Sequence, residues 1–352
     1  MIVGIIGAGL AGLVAGKKLA QAGHEVIVFE KSRGFGGRLS TRYFDKDKGP
    51  YFDHGSPYLR AEDERYQAFI EDLAAKGVLR EWSDTLHYYD GNQLLQANPH
   101  VGRKMAYCAP GGMNTIGKHL SRWVDVRLNT KVIGFTYIGK KRRTKSAWTI
   151  NLQSSDVFEV DAIILATPAV QAYGLMETST DETMFKNVIK DIDTVFYDPK
   201  MSLMLSYEGA EMPDFKGITC VNDERISWIG NESSKRDTGN SLALTVHSTG
   251  TFAKNHLFNK TPDAEIQAEM ISSLRNIIGD WSGRYDASQI HLWRYSQPRN
   301  YFKQLFVELG INRAPIALVG DYMGGQSLER AFLSGYELGE HWAKQLSSIV
   351  AT

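Results

Sequence analysis

Cysteine is all but absent from this chain: Cys108 and Cys220 are the only two in 352 residues. Two thiols build no disulfide framework, and their spacing matches no metal-ligand pattern, so neither a secreted disulfide scaffold nor a metal site is expected. Net charge is absent too, because 40 basic residues cancel 40 acidic ones. That balance removes any global attraction to nucleic acid or to an anionic membrane. The dense basic run Lys140-Lys141-Arg142-Arg143-Thr144-Lys145 lacks interleaved aromatic residues and reads as the charged tip of a β-hairpin. Long apolar runs are missing, and the first strand-like segment begins at Ile2, which argues against a membrane span and a cleavable signal peptide. A cytoplasmic protein without nucleic-acid or membrane partners is expected. Its 43% hydrophobic content is enough to bury two cores, so two domains are the natural prior.

What the chain does have is glycine in a telling place. Ile2-Val3-Gly4-Ile5-Ile6 is an apolar strand that runs into Gly7-Ala8-Gly9-Leu10-Ala11-Gly12, the spacing G-x-G-x-x-G. Gly7 permits the tight turn, Gly9 lets backbone approach a pyrophosphate, and Gly12 lets the next helix pack closely on its strand, so phosphate oxygens meet a helix N-terminus. The helix is expected to end at Ala22-Gly23, with Val26 to Phe29 forming the second parallel strand. Glu30 closes that strand, where its carboxylate can accept hydrogen bonds from both hydroxyls of an adenosine ribose. The loop Lys31-Ser32-Arg33-Gly34-Phe35-Gly36-Gly37-Arg38 follows. It suits a diphosphate, with Arg38 forking onto phosphate oxygens. These features describe a docking site for the ADP half of a dinucleotide, with NAD and FAD both open.

Further along, a helix is expected around Asp63 to Lys76 and another over Thr115 to Trp123. Val124 to Leu128, Lys131 to Phe135 and Trp148 to Leu152 alternate as strands do. Asp161 to Pro168 reads as a buried strand with Thr167 at its carboxyl end, the side that faces the ligand crevice in an open α/β sheet. The opposite end of the chain then offers Ile316-Ala317-Leu318-Val319-Gly320-Asp321, another apolar strand ended by glycine and an acid. A closing helix is expected from Leu328 to Leu346 with Ser327 as its N-cap. A nicotinamide dehydrogenase needs only the N-terminal signature, whereas FAD uses both ends: adenosine on Gly7 to Glu30, ribityl hydroxyls on Asp321, and the ring at the positive end of the closing helix.

The expected fold class is therefore α/β, a Rossmann-type FAD-binding domain with an interleaved α+β substrate domain. Residues 1–55, 104–168 and 290–352 are assigned to the FAD-binding domain, and residues 56–103 and 169–289 to the substrate domain.

Through Gly7 to Gly12, Glu30 with Gly36-Gly37-Arg38, Ala166-Thr167-Pro168 and Gly320-Asp321, the chain resembles the FAD-containing amine oxidase superfamily. Phe52-Asp53-His54-Gly55-Ser56-Pro57-Tyr58, His247-Ser248-Thr249, and Glu329, Ala331, Ser334 and Gly335 are similar to the renalase branch found in bacteria. The resemblance implies a two-domain fold like that of para-hydroxybenzoate hydroxylase. It implies that Val132 meets the adenine, that Gly55-Ser56-Pro57 passes near the flavin ring, and that Glu329 and Ala331 also contact the cofactor. It further implies oxidation of misreduced dihydropyridine isomers of NAD(P)H, electrons passing through FAD to oxygen or another acceptor. Such a hydride transfer asks for positioning more than acid-base groups.

Departures matter as well. Gly324 to Leu328 supplies no aromatic residue where amine oxidases place one wall of an amine cage, and Arg330 stands where the family commonly has glycine. Amine oxidation and carotenoid-type desaturation remain the alternatives, with a non-catalytic flavin-binding regulator behind them. For the substrate, Tyr58, Arg60, His247, Tyr301 and Tyr322 are the candidates, His247 also being a weak catalytic candidate. Trp281 and Trp293 read as core.

Overall fold

The computed structural model describes residues 1–45, 49–100, 102–139, 146–179, 182–236, 241–310 and 314–350; the basic run at 140–145 lies outside them. The opening strand Ile2–Ile6 is central to a six-stranded sheet, flanked by Glu25–Phe29 and Ala162–Leu165, with Asp125–Arg127 beyond the first and Ile316–Leu318 then Val307–Leu309 beyond the second. All pairings are parallel except that of the edge strand Val307–Leu309. Apolar β-branched runs suit strands covered on both faces. The helix Leu10–Gln21, the helix Asn114–Leu120 and the closing helix Leu328–Val350 cover one face. An antiparallel three-stranded meander, Val132–Tyr137, Trp148–Leu152 and Val157–Val160, covers the other. Its approach is close enough that a Cβ on Gly4 would lie 2.5 Å from the Ile150 side chain.

Small residues set the helix packing. A Cβ on Gly12 would stand 2.4 Å from the Gly7 carbonyl, and one on Gly335 would stand 2.1 Å from the Ala11 carbonyl. The closing helix therefore lies directly across the first helix. Ser327 caps it as expected, its Oγ accepting from the Arg330 amide at 3.2 Å.

The second sheet is seven-stranded, in the order Ala287–Pro298, Tyr197–Glu208, Ser241–Ser248, Ile226–Asn231, Gly217–Cys220, His87–Tyr89 and Leu94–Leu95. Side chains alternate across it. Met201, Leu203 and Leu205 face a core with Ile266, Met270 and Leu274 of the helix Asp263–Ile278, while Lys200 and Ser202 face the other way. The strand Ala287–Pro298 crosses the expected boundary at residue 290. The helix Glu64–Ala75, capped by Asp63, packs Tyr66, Ile70 and Leu73 into the core beneath the parallel sheet's helices. On the same face of the seven-stranded sheet as Met204 and Ala243, against the strand Ser241–Ser248, lies a buried charge cluster. Asp53 and Glu232 pair with Lys235 and Arg236. Among the described residues no helix is long and apolar enough to cross a membrane.

Candidate functional site

Parallel strands end on one edge, so their carboxyl ends bring Gly7, Glu30, Thr167 and Gly320 together from distant parts of the chain. Backbone bonds fix them there: the Gly7 amide donates to Phe29, Glu30 to Arg127, Ala166 to Ile6 and Val319 to Leu165. Above this edge opens a cleft of about 2140 Å³ that continues to the seven-stranded sheet. At its first end, Gly36 donates to the Ala8 carbonyl at 2.9 Å, and Gly37 sits so close that a Cβ there would be 3.3 Å from the Gly9 Cα. A Cβ on Gly9 itself would meet nothing within 4 Å. Glu30 is buried, one oxygen accepting from the Ala8 amide and the other from Ser32. Lys31, Arg33, Val132 and Thr167 line the same stretch, and the Thr167 hydroxyl is buried without a partner.

The middle of the cleft is held by Arg38. Sequence reasoning aimed its fork at phosphate; the structure aims it at Asp321, with Nη2 2.7 Å from Oδ1 and Nη1 paired to Oδ2. Nη1 also donates to the Ser296 carbonyl at 2.8 Å. The carboxylate prevails because both groups are largely withdrawn from water and its two oxygens match the planar guanidinium. The Arg38 carbonyl accepts from Ser56, and a Cβ on Gly55 would fall 2.0 Å from it. Only glycine lets the 55–57 turn run this close. Glu329 borders the cleft while one of its oxygens accepts from the Glu62 and Asp63 amides, and Ser334 accepts from the Gly320 amide.

The far end of the cleft is a chamber floored by one register row of the seven-stranded sheet. Ser202 lies opposite His247 on one side and His291 on the other, His247 lies opposite Trp228, and Trp228 opposite Thr219. The next row pairs Lys200 with Trp293. His54 leans over this floor, its ring stacked on Trp293 with centroids 5.2 Å apart and edge-on to His291. Its carbonyl accepts from the Ser202 hydroxyl at 2.6 Å and the Trp293 indole at 2.8 Å. Burial, then His291 and Arg42, pulls the His54 pKa to about 3. Burial, then the nearby Lys200, Lys235 and His54, holds His247 well below an ordinary histidine, so both rings are neutral. Burial also lowers the Lys200 ammonium, against the partial support of Asp198.

Of the five substrate candidates, Tyr58, Arg60 and His247 line the chamber. Tyr58 packs between Trp82 and Trp228 with Arg60 over its ring. Two do not. Tyr322 follows Asp321 but is turned into the apolar core, fully buried, and Tyr301 is 49% exposed away from the cleft. Trp293 is not core, since its ring faces the chamber; Trp281 is half-buried against Tyr207. His54 was named only within the segment Phe52 to Tyr58, with no role in the chamber, and Lys200, Ser202, Trp228 and His291 were not singled out. The only local signal of these four is a polar or aromatic residue at alternate positions of a strand, which does not reveal which strands become neighbours.

A family model described as flavin containing amine oxidoreductase matches residues 85–338. The chain belongs to this family. A second model, an NAD(P)-binding Rossmann-like domain, matches residues 5–73 of this amine oxidoreductase family member. Among curated proteins it is 32% identical to an L-amino-acid oxidase of Siganus canaliculatus over 103 residues, 28% of this chain and 19% of the relative. It is 42% identical to a 4,4'-diapophytoene desaturase of Staphylococcus haemolyticus over 72 residues, 20% of this chain and 14% of the relative. The matched segments thus span about a fifth or less of these relatives. The fold is that of cyclohexylamine oxidase from Brevibacterium oxydans, with a TM-score of 0.73 at 11% identity over 98% of this chain and 99% of that one. The family's cofactor is FAD, and the residues present fit it. The open space above Gly9, the bare Thr167 hydroxyl and a cleft running from Glu30 to the chamber suit a long dinucleotide.

Proposed function

We propose that this FAD-dependent oxidoreductase is a renalase-like cytoplasmic enzyme that oxidises isomeric dihydro-NAD(P), with oxygen or another acceptor removing the electrons. The character of the chamber carries the reading. Lys200, His247, His291, Trp228 and Trp293 line it, and among the described residues no acidic side chain from the seven-stranded sheet does. An ammonium ion finds no counter-charge on that floor. A flat, neutral dihydropyridine finds indole and imidazole faces, and the phosphates of its nucleotide find Arg42, Arg60 and Arg294 along the same cleft.

Bound FAD supplies a hydride acceptor at N5. The dihydropyridine gives up one hydride and becomes an aromatic pyridinium, so the protein need not remove a proton from carbon. The chain's own part is to hold and enclose. In this reading the Gly7 to Gly12 turn and the Gly36-Gly37 loop bind the diphosphate and Glu30 binds the adenosine ribose, with Val132 beside the adenine. Asp321, fixed by Arg38, faces the ribityl hydroxyls, while Gly55-Ser56-Pro57, Glu329 and Ala331 border the ring. Neutral His54 and His247 keep the chamber free of added positive charge at physiological pH.

Anaerobic stopped-flow mixing of the yellow holoenzyme with isomeric dihydronicotinamide nucleotides tests this, bleaching of the flavin band being the expected result. A second reading, amine oxidation, has its own support in the family and in the aromatic walls Tyr58, Trp228 and Trp293. Rapid bleaching by an amine and none by any dihydropyridine would replace the first reading with the second.

A further inference from the structure

One buried atom in the chamber has no partner inside the protein, and a half-buried lysine, supported only by the charge of Asp198, lies near it. The His247 side chain is only 6% exposed, faces the cleft, and its Nε2 is buried without a hydrogen bond. Lys200 lines the cleft beside it, two residues along the strand from the Ser202 that sits opposite His247. Among the described residues no side chain forms an ion pair with Lys200. A buried polar atom left bare is costly unless a ligand completes it. The two atoms also differ in kind. The ammonium only donates. The histidine ring is neutral, and its contact with the His54 main chain favours a proton on that side, which leaves Nε2 as an acceptor.

A donor on one strand, diagonal to an acceptor on the next, matches one common group: a primary carboxamide, whose oxygen accepts and whose nitrogen donates. We propose that Lys200 and His247 form a carboxamide subsite, Lys200 Nζ donating to the amide oxygen and His247 Nε2 accepting from the amide nitrogen. The inference rests on the reading of this chamber as the substrate's place, and it narrows the substrate to a ring that bears such an amide. A carboxylate would satisfy Lys200 but set its second oxygen against the His247 lone pair. A bare ring would satisfy neither.

Calorimetry on the holoenzyme with nicotinamide, nicotinate and pyridine tests this without turnover. Nicotinamide should bind about tenfold to a hundredfold more tightly than pyridine, the range expected for one charged and one neutral hydrogen bond, and more tightly than nicotinate. Lys200→Met and His247→Phe should each erase most of that advantage, while Lys200→Arg should keep part of it; flavin absorbance per protein checks that each variant is folded. Equal binding of pyridine and nicotinamide to the unaltered enzyme would overturn the subsite, whatever the variants do. Nicotinate binding more tightly than nicotinamide would overturn the acceptor role of His247. Carboxamide selectivity without bleaching by any dihydropyridine would leave the subsite standing and remove the proposed reaction. Bleaching with no carboxamide selectivity would do the reverse.

Discussion

Arg38 and Asp321 stand 283 residues apart in the sequence and meet in a forked ion pair at the middle of the cleft. The pair fastens the loop that follows the first βαβ unit to the last strand of the parallel sheet. Because the Arg38 carbonyl also carries Ser56, the same residue positions the turn that leads into the chamber. Arg38 is an organiser of the cleft between its two ends.

Asp321→Ala should therefore cost more than a contact to the cofactor. It strands a guanidinium that is only 28% exposed, and the apoprotein should lose about 1–3 kcal/mol in denaturant unfolding, less than for a fully buried pair because water reaches Arg38. FAD should also be released more readily, by tenfold or more in dissociation constant. Asp321→Asn keeps one acceptor and should fall between. An apoprotein as stable as the parent would show that the pair does not organise the site.

Glycines in the opening motif and the closing helix should separate by role. A Cβ on Gly9 meets no protein atom, and its φ of −75° suits any residue. Gly9→Ala should leave apoprotein stability within about 0.5 kcal/mol yet weaken FAD binding strongly. Gly335→Ala drives a Cβ to 2.1 Å from the Ala11 carbonyl and should destabilise the fold by about 1–3 kcal/mol even without cofactor. Apoprotein melting beside FAD titration reads both effects.

The neutral histidines give a pH dependence of stated sign. His54 has a folded pKa of about 3 against an ordinary 6.5, so the unfolded chain takes up the proton first. Its contribution is complete above about pH 6.5 and is lost as pH falls from there toward the folded value, at up to about 1.4 kcal/mol per pH unit. His247, also depressed, acts in the same direction. Unfolding free energies at successive pH values between 7.5 and 5 should fall, and His54→Gln should flatten the slope by about one proton. An unchanged slope in that variant would mean that His54 is not held neutral.

That Gly7, Glu30 and Asp321 meet at the carboxyl edge of the parallel sheet was legible in the sequence because the signals are local. Gly7, Gly9 and Gly12 sit within one strand-turn-helix unit, and Glu30 and Asp321 each end an apolar strand whose role follows from its neighbours in the chain. The chamber was not legible. Its floor is a row across strands that begin at residues 197, 217, 226, 241 and 287, and a one-residue slip in any pairing would turn His247 or His291 to the other face. Trp293 illustrates the difficulty, since an indole in an alternating strand reads as core until its partner across the strand, here Lys200, is known. Tyr322 is the opposite case: it follows Asp321 directly, yet its ring lies in the apolar core, a direction that a tyrosine in a turn does not announce.

The His54 carbonyl joins the two halves, and its bonds can be weighed. Ser202 and Trp293 both donate to it beside the His247 contact, so removing either leaves the carbonyl satisfied. Ser202→Ala and Trp293→Phe should each cost about 1 kcal/mol for the lost bond, with the packing change at Trp293 added. Together they leave the buried carbonyl with only its contact to the His247 ring, and the double variant should lose up to about 1 kcal/mol beyond the sum. The segment these bonds hold is the 54–57 turn beside Arg38, so the double variant should also shift the flavin absorption band, while each single variant leaves it nearly unchanged. Strict additivity in unfolding free energy, with an unmoved flavin spectrum, would show that the turn is held by its glycine packing against Arg38 rather than by the sheet.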